Sequence, residues 1–143
     1  GSFLFAYAKP VPINPDNLSD RKYGTLKVAL AGPASNICVA TLIGLIIRVG
    51  GYFIPNFSGM SIWELLMYVV FINILLAVFN LVPIPPLDGS KLLFAFFPDK
   101  MFQLRAFFER YGFILILLFI FFLWQYILPV ITLLFSLITG IAI

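Results

Sequence analysis

The run Asn80-Leu-Val-Pro-Ile-Pro-Pro-Leu-Asp-Gly89 holds the residues best suited to chemistry. Pro83, Pro85 and Pro86 end any helix that reaches them and force an extended turn. Asp88 follows, and Gly89 beside it tolerates dihedrals closed to other residues. A carboxylate at the edge of hydrocarbon is costly to keep, so it marks a functional site with a partner. Here the partner is Lys91, three residues on, or a cation from solution. Read from the residues alone, Asp88 serves equally well as an N-cap for a helix that begins near Ser90. Asn73 and Asn80 stand seven apart, two turns along one face of a helix. In apolar surroundings their amides need partners. They act either as glue between helices or, beside a carboxylate, as groups that orient a peptide and polarise a carbonyl.

Two counts limit what these residues can do alone. Histidine is absent, which removes the commonest zinc ligand and the usual general base near neutral pH. Cys38 is the single cysteine, so no disulfide, thiolate zinc cluster or iron–sulfur site can be built within the chain.

The elements that must position Asp88 are membrane helices. Of the 143 residues, 62% are apolar and 10% charged, against about 45–50% and about 25% in a soluble domain. Three stretches carry no charge: Val28 to Ile47, Leu65 to Leu87, and Tyr111 to Ile143. Each is long enough to cross about 30 Å of hydrocarbon as a helix. The fold class expected is an all-α polytopic membrane protein with three or four hydrophobic helices and an extended Pro-rich N-terminal segment. Residues 1–25 form that segment and 26–143 the helical domain, with spans at about 27–48, 63–82 and 109–127 and a further helix at 130–143.

Charge placement gives an orientation. Lys9, Arg21, Lys22 and Lys27 precede the first span, and Lys91, Lys100, Arg105 and Arg110 lie between the second and third, while Val49 to Trp63 has no Lys or Arg. The positive-inside rule then puts residues 1–27 and 88–110 on the cytoplasmic side of the cell inner membrane. The net charge of +3 is spread between apolar runs, not along one face, so no nucleic-acid partner is expected. Gly32, Asn36, Ala40 and Gly44 recur every fourth residue as a small-residue seam for another helix. Arg48 ends that span and can snorkel outward, and Gly50 and Gly51 open the turn that follows. In the third run Pro129 favours a break at Leu128-Pro129, with a helix beyond it that returns or lies in the interface; one kinked helix is the other reading. Pro10, Pro12 and Pro15 keep Ala6 to Pro15 extended.

Ala31-Gly-Pro-Ala-Ser-Asn36 in the first span, Asn80-x-x-Pro-x-Pro-Pro-Leu-Asp-Gly89 after the second, and Ala8-Lys-Pro-Val-Pro-Ile-Asn-Pro15 upstream resemble, in order, the motifs of the site-2 proteases. These are the intramembrane zinc metalloproteases of peptidase family M50, and the likeness is to the short bacterial type without a PDZ domain. It covers about Phe5 to Tyr111. Gly32, Pro33, Asn36, Pro83, Pro86 and Gly89 carry the structural motifs.

The resemblance implies that Asp88 is a zinc ligand and that Asn80 binds or polarises the scissile carbonyl. It also implies a His-Glu-x-x-His helix that supplies two further ligands and a general base, and this sequence departs from the pattern there. A catalytic zinc takes three protein ligands and keeps one position open for water, whose pKa falls toward about 7. One ligand of the three is present. The expectation is therefore the C-terminal portion of a membrane-embedded protease that cleaves membrane-spanning substrates, inactive and zinc-free by itself, its partners being membrane lipid, the substrates and the upstream histidine-bearing helices. Tyr7 and Ile13, on the extended segment, are expected to offer a backbone edge to an unwound substrate. Two other readings compete: a non-enzymatic helix-packing module with Asp88 structural, and a transporter fragment with Asp88 as a cation or proton site.

Overall fold

A computed structural model describes residues 21–97 and 101–141, with side chains from 24 onward in the first helix. The order is α1 (Arg21–Phe53), a 3₁₀ turn at Phe57–Gly59, α2 (Ser61–Asn80), α3 (Asp88–Phe96), α4 (Phe102–Leu118), a π-helical turn at Phe119–Leu123, and α5 (Trp124–Thr139). There is no strand among the described residues. Three helices are long and apolar enough to span a bilayer: Gly24–Phe53, Ser61–Asn80 and the continuous Phe102–Thr139. Most of their large apolar side chains point outward, Phe113, Phe121, Phe122 and Leu137 among them, as a bundle solvated by lipid requires. The chain is a membrane protein.

The buried centre is one layer where α1, α2 and α5 meet. Ala40 and Ile47 of α1, Val70 and Ile74 of α2, and Ile131 and Phe135 of α5 are closed off from outside. The small residues predicted on α1 explain how closely the helices approach. A side chain on Gly44 would run into Ile138 of α5, so the seam is used within the chain.

Three expectations are corrected. The first helix starts at Arg21, inside the segment assigned to an extended polar loop, and runs on through Gly50 and Gly51 to Phe53. Glycine lowers helix propensity by about 1 kcal/mol, but both glycines lie where leaving the helix would expose backbone groups close to hydrocarbon. The break at Leu128-Pro129 does not occur, because Pro129 lies inside α5. A proline removes one donor, and an irregular backbone in lipid would strand several polar groups, so the helix continues. The irregularity comes earlier, as the π turn at Phe119–Leu123, which nothing in the hydropathy signalled. Arg48, finally, does not only reach outward. Its Nη2 donates to the carbonyl of Leu137, 2.6 Å away near the end of α5.

Candidate metal centre

The proline-rich loop folds α3 back onto the end of α2. Tight backbone bonds hold it, with Val82 N–H donating to Phe79 O at 3.1 Å, Ile84 N–H to Val82 O at 2.8 Å, and Leu87 N–H to Ile84 O at 3.0 Å. Pro85 is buried, while Pro83 and Pro86 are exposed. Gly89 is needed for close approach: any side chain there would collide with the Leu81 and Val82 carbonyls. α4 supports the loop from the other side, since a side chain on Gly112 would strike the Pro85 carbonyl. Sequence reasoning passed over Gly112, although a lone glycine inside an apolar helix is a packing signal.

Asp88 opens α3 but does not cap it. The cap position belongs to Leu87, with no side-chain bond, and Ser90 closes the turn by donating its N–H and its hydroxyl to Leu87 O, at 3.1 and 2.7 Å. The N-cap reading therefore fails, and the carboxylate is left for other partners. One is Lys91, whose Nζ donates to Asp88 Oδ1 at 2.7 Å, with the two side chains 44% and 31% exposed respectively. The other oxygen, Oδ2, lies against α1 at Gly32, 3.4 Å from where a Cβ would stand. It has no hydrogen-bond partner among the described residues. Glycine at position 32 keeps that side of the carboxylate open.

Helix periodicity relates the two asparagines of α2 to the position of α5. On α1, Gly44 and Arg48 touch α5 and Gly32 touches Asp88. At 100° per residue, Gly32 and Arg48 point about 160° apart, on opposite flanks of the buried line through Ala40 and Ile47. On α2, Phe71 meets Phe135 of α5, ring to ring at 6.2 Å, and Asn80 points about 180° away from Phe71. α1 and α2 are antiparallel, joined by a short turn, so their flanks turned from α5 coincide. By that periodicity Gly32 and Asn36 of α1 and Asn73 and Asn80 of α2 are turned away from α5, and of these Gly32 is the one in contact with Asp88 among the described residues. Asn73 donates Nδ2 to Val69 O of its own helix at 2.8 Å, which uses one of its two N–H donors. The half-buried amides of Asn80 and Asn36 make no hydrogen bond among the described residues.

Other expected residues lie apart. Tyr7 and Ile13 fall outside the described residues. Pro33 is buried in α1, where it shares a shallow apolar groove with Leu81. Glu64 stands in the first turn of α2, sixteen residues along the helix from Asn80, about 24 Å. Among the described residues no three His, Cys, Asp or Glu side chains gather where they could share a metal ion.

Comparison with known proteins bears on the segment that holds this loop. The family model described as peptidase family M50 matches residues 55–123, which take in α2, the proline-rich loop and Asp88. The chain is 32% identical over 123 residues to "Putative zinc metalloprotease YwhC" of Bacillus subtilis, covering 79% of this chain and 53% of that protein. It is 36% identical over 83 residues to "Putative zinc metalloprotease MJ0611" of Methanocaldococcus jannaschii (58% and 39%), and 31% identical over 99 residues to "Zinc metalloprotease MJ0392" of the same organism (67% and 27%). The chain thus spans about half the length of the first of these relatives and less of the others. No solved structure matches. The motif order, the membrane helices and the matched segment around Asp88 place this chain in peptidase family M50.

Proposed function

We propose that this chain forms part of the active site of a site-2-protease-like zinc metallopeptidase that cleaves membrane-spanning substrates at the cytoplasmic side of the cell membrane. The observation that carries the reading is the Asp88 carboxylate, fixed at one oxygen by Lys91 and open at the other toward Gly32. Such a carboxylate suits a cation, and the chain offers it as one donor. With no histidine in the sequence and no cluster of three ligating side chains among the described residues, two more ligands and a base must come from outside these 143 residues. Zinc, when bound, supplies a Lewis acid toward the peptide carbonyl.

The chain's own residues have distinct parts in this reading. Asp88 holds the ion, and Lys91 keeps the carboxylate from turning. Asn80 donates an amide N–H to the carbonyl of the substrate. Gly32 and Gly89 leave the space that lets Asp88 lie between α1 and α2.

The test uses the complete protein, with cleavage of a membrane-spanning reporter and zinc content measured side by side. Asp88→Ala is expected to abolish cleavage and lower zinc retention while the protein still inserts. Asn80→Ala is expected to keep its zinc and lose turnover by about 10²-fold, the usual cost of removing a donor to a developing negative charge. Cleavage at the parental rate by Asp88→Ala would end the reading.

A further inference from the structure

We infer that Gly112 and Phe108 of α4 are positioning residues for Asp88, through which α4 sets how tightly the carboxylate holds its cation. This rests on the peptidase reading above and names what keeps the donor in place. Of the 17 residues of α4, Gly112 alone is buried. Phe108, one turn before it, is half-buried, while Phe107, Tyr111 and Phe113 are exposed. The helix therefore meets the rest of the chain along one narrow line. The first two positions of that line both touch the segment that carries Asp88. At Gly112 the Pro85 carbonyl, three residues before Asp88, lies against the helix: a Cβ there would overlap its oxygen and stand 3.0 Å from its carbon. At Phe108 the ring meets Phe94 of α3, six residues after Asp88, edge to face at 6.2 Å. The Arg105 guanidinium covers the same Phe94 ring, 5.4 Å from its centre, and is itself steadied by Glu109 at 2.9 Å.

With nine residues, α3 is too short to hold its own shape in isolation, so its neighbours must fix Asp88. Gly89 seats the start of α3 on the end of α2, and Gly32 of α1 leaves room for Oδ2. α4 adds a bracket, with one contact before Asp88 in the chain and one after it. Glycine is a poor helix former. At position 112 its missing side chain is what admits a backbone carbonyl to an otherwise exposed helix. Neither contact of α4 is made with the carboxylate, so any effect on the cation passes through the position of Asp88. Groups that orient a metal ligand without touching the metal are worth about 10–100-fold in affinity.

The experiment uses the complete protein in detergent micelles. Zinc affinity is measured against a competing chelator, and the visible spectrum of the cobalt-loaded protein is recorded beside it. Gly112→Ala forces α4 and the loop apart and is expected to weaken zinc binding about tenfold and to alter the cobalt spectrum. Phe108→Leu keeps the apolar volume and loses the ring contact with Phe94, so a fall of about threefold is expected, with the cobalt spectrum altered as well. Phe113→Leu is the control, because that ring is 72% exposed and lies off the contact line; it should match the parent in both measurements. A role confined to packing would lower the melting temperature of the metal-free protein and leave zinc affinity and the cobalt spectrum of the folded protein unchanged. That result in Gly112→Ala, or in Phe108→Leu where Gly112→Ala fails to insert, overturns the inference, as does Phe113→Leu weakening zinc as much as Phe108→Leu. If Asp88→Ala binds zinc as tightly as the parent, it is the peptidase reading that falls.

Discussion

Gly89→Ala tests the geometry that sets Asp88 in place. A Cβ at position 89 would stand 2.5 Å from the Val82 carbonyl oxygen and collide with the Leu81 carbonyl as well. Ordinary contact begins near 3.4 Å, and the Leu81 carbonyl is the closer of the two, so the start of α3 must retreat from the end of α2 by about 1 Å. Backbone carbonyls in a loop pinned by the buried Pro85 cannot swing aside as a side chain would. Overpacking of this kind costs about 1–3 kcal/mol. Asp88 is the neighbouring residue and moves with the helix. A misplacement of about 1 Å at a reacting centre costs about 10²-fold in rate. The assay is reversible unfolding in mixed micelles by circular dichroism, paired with reporter cleavage by the complete protein. Gly59→Ala is the control, because nothing lies within 4 Å of a Cβ there. The expected result is a loss of about 1–3 kcal/mol and most of the activity in Gly89→Ala, with Gly59→Ala within about 0.5 kcal/mol of the parent. Equal stability and activity in both variants would refute the claim that α3 is wedged against α2 through Gly89.

Much of this architecture was legible in the residues. The charge-free runs mark the three spans, and the Asn80–Gly89 motif marks the bend that carries Asp88. Lys91 as a partner followed from its spacing, since residues three apart on a helix are neighbours. Other features escaped for physical reasons. Whether Pro129 ends a helix depends on the cost of unpaired backbone around it, which the local sequence does not contain. The π turn is one extra residue in one turn, a change too small to alter hydropathy. Arg48 and Leu137 are 89 positions apart, and their contact exists only because α1 and α5 end at the same level. Which sides of α1 and α2 are free likewise needed the position of α5.

Two further outcomes follow from contacts described above. Lys91→Met should change stability by no more than about 0.5 kcal/mol in the same unfolding assay, because its ion pair with Asp88 is partly exposed and screened; a loss above 2 kcal/mol would mean that the pair holds α3 in place. Arg48→Leu should matter more. The guanidinium donates at 2.6 Å to Leu137 O, one of the terminal carbonyls of α5 that no residue of the helix can satisfy. It also places a positive charge at the negative end of that helix, beside Gly140, whose φ of 79° ends the helix in the left-handed conformation. A hydrogen bond to a charged group contributes about 1.5–3 kcal/mol, reduced here because Arg48 is exposed, so a loss of about 1–2 kcal/mol is expected. The loss should be local first. The Gly140 N–H, bonded to Ser136 O at 2.8 Å, should exchange with deuterium faster in Arg48→Leu while amides in the middle of α2 are unaffected. Unchanged exchange at Gly140 would show that α5 holds its end without help from α1.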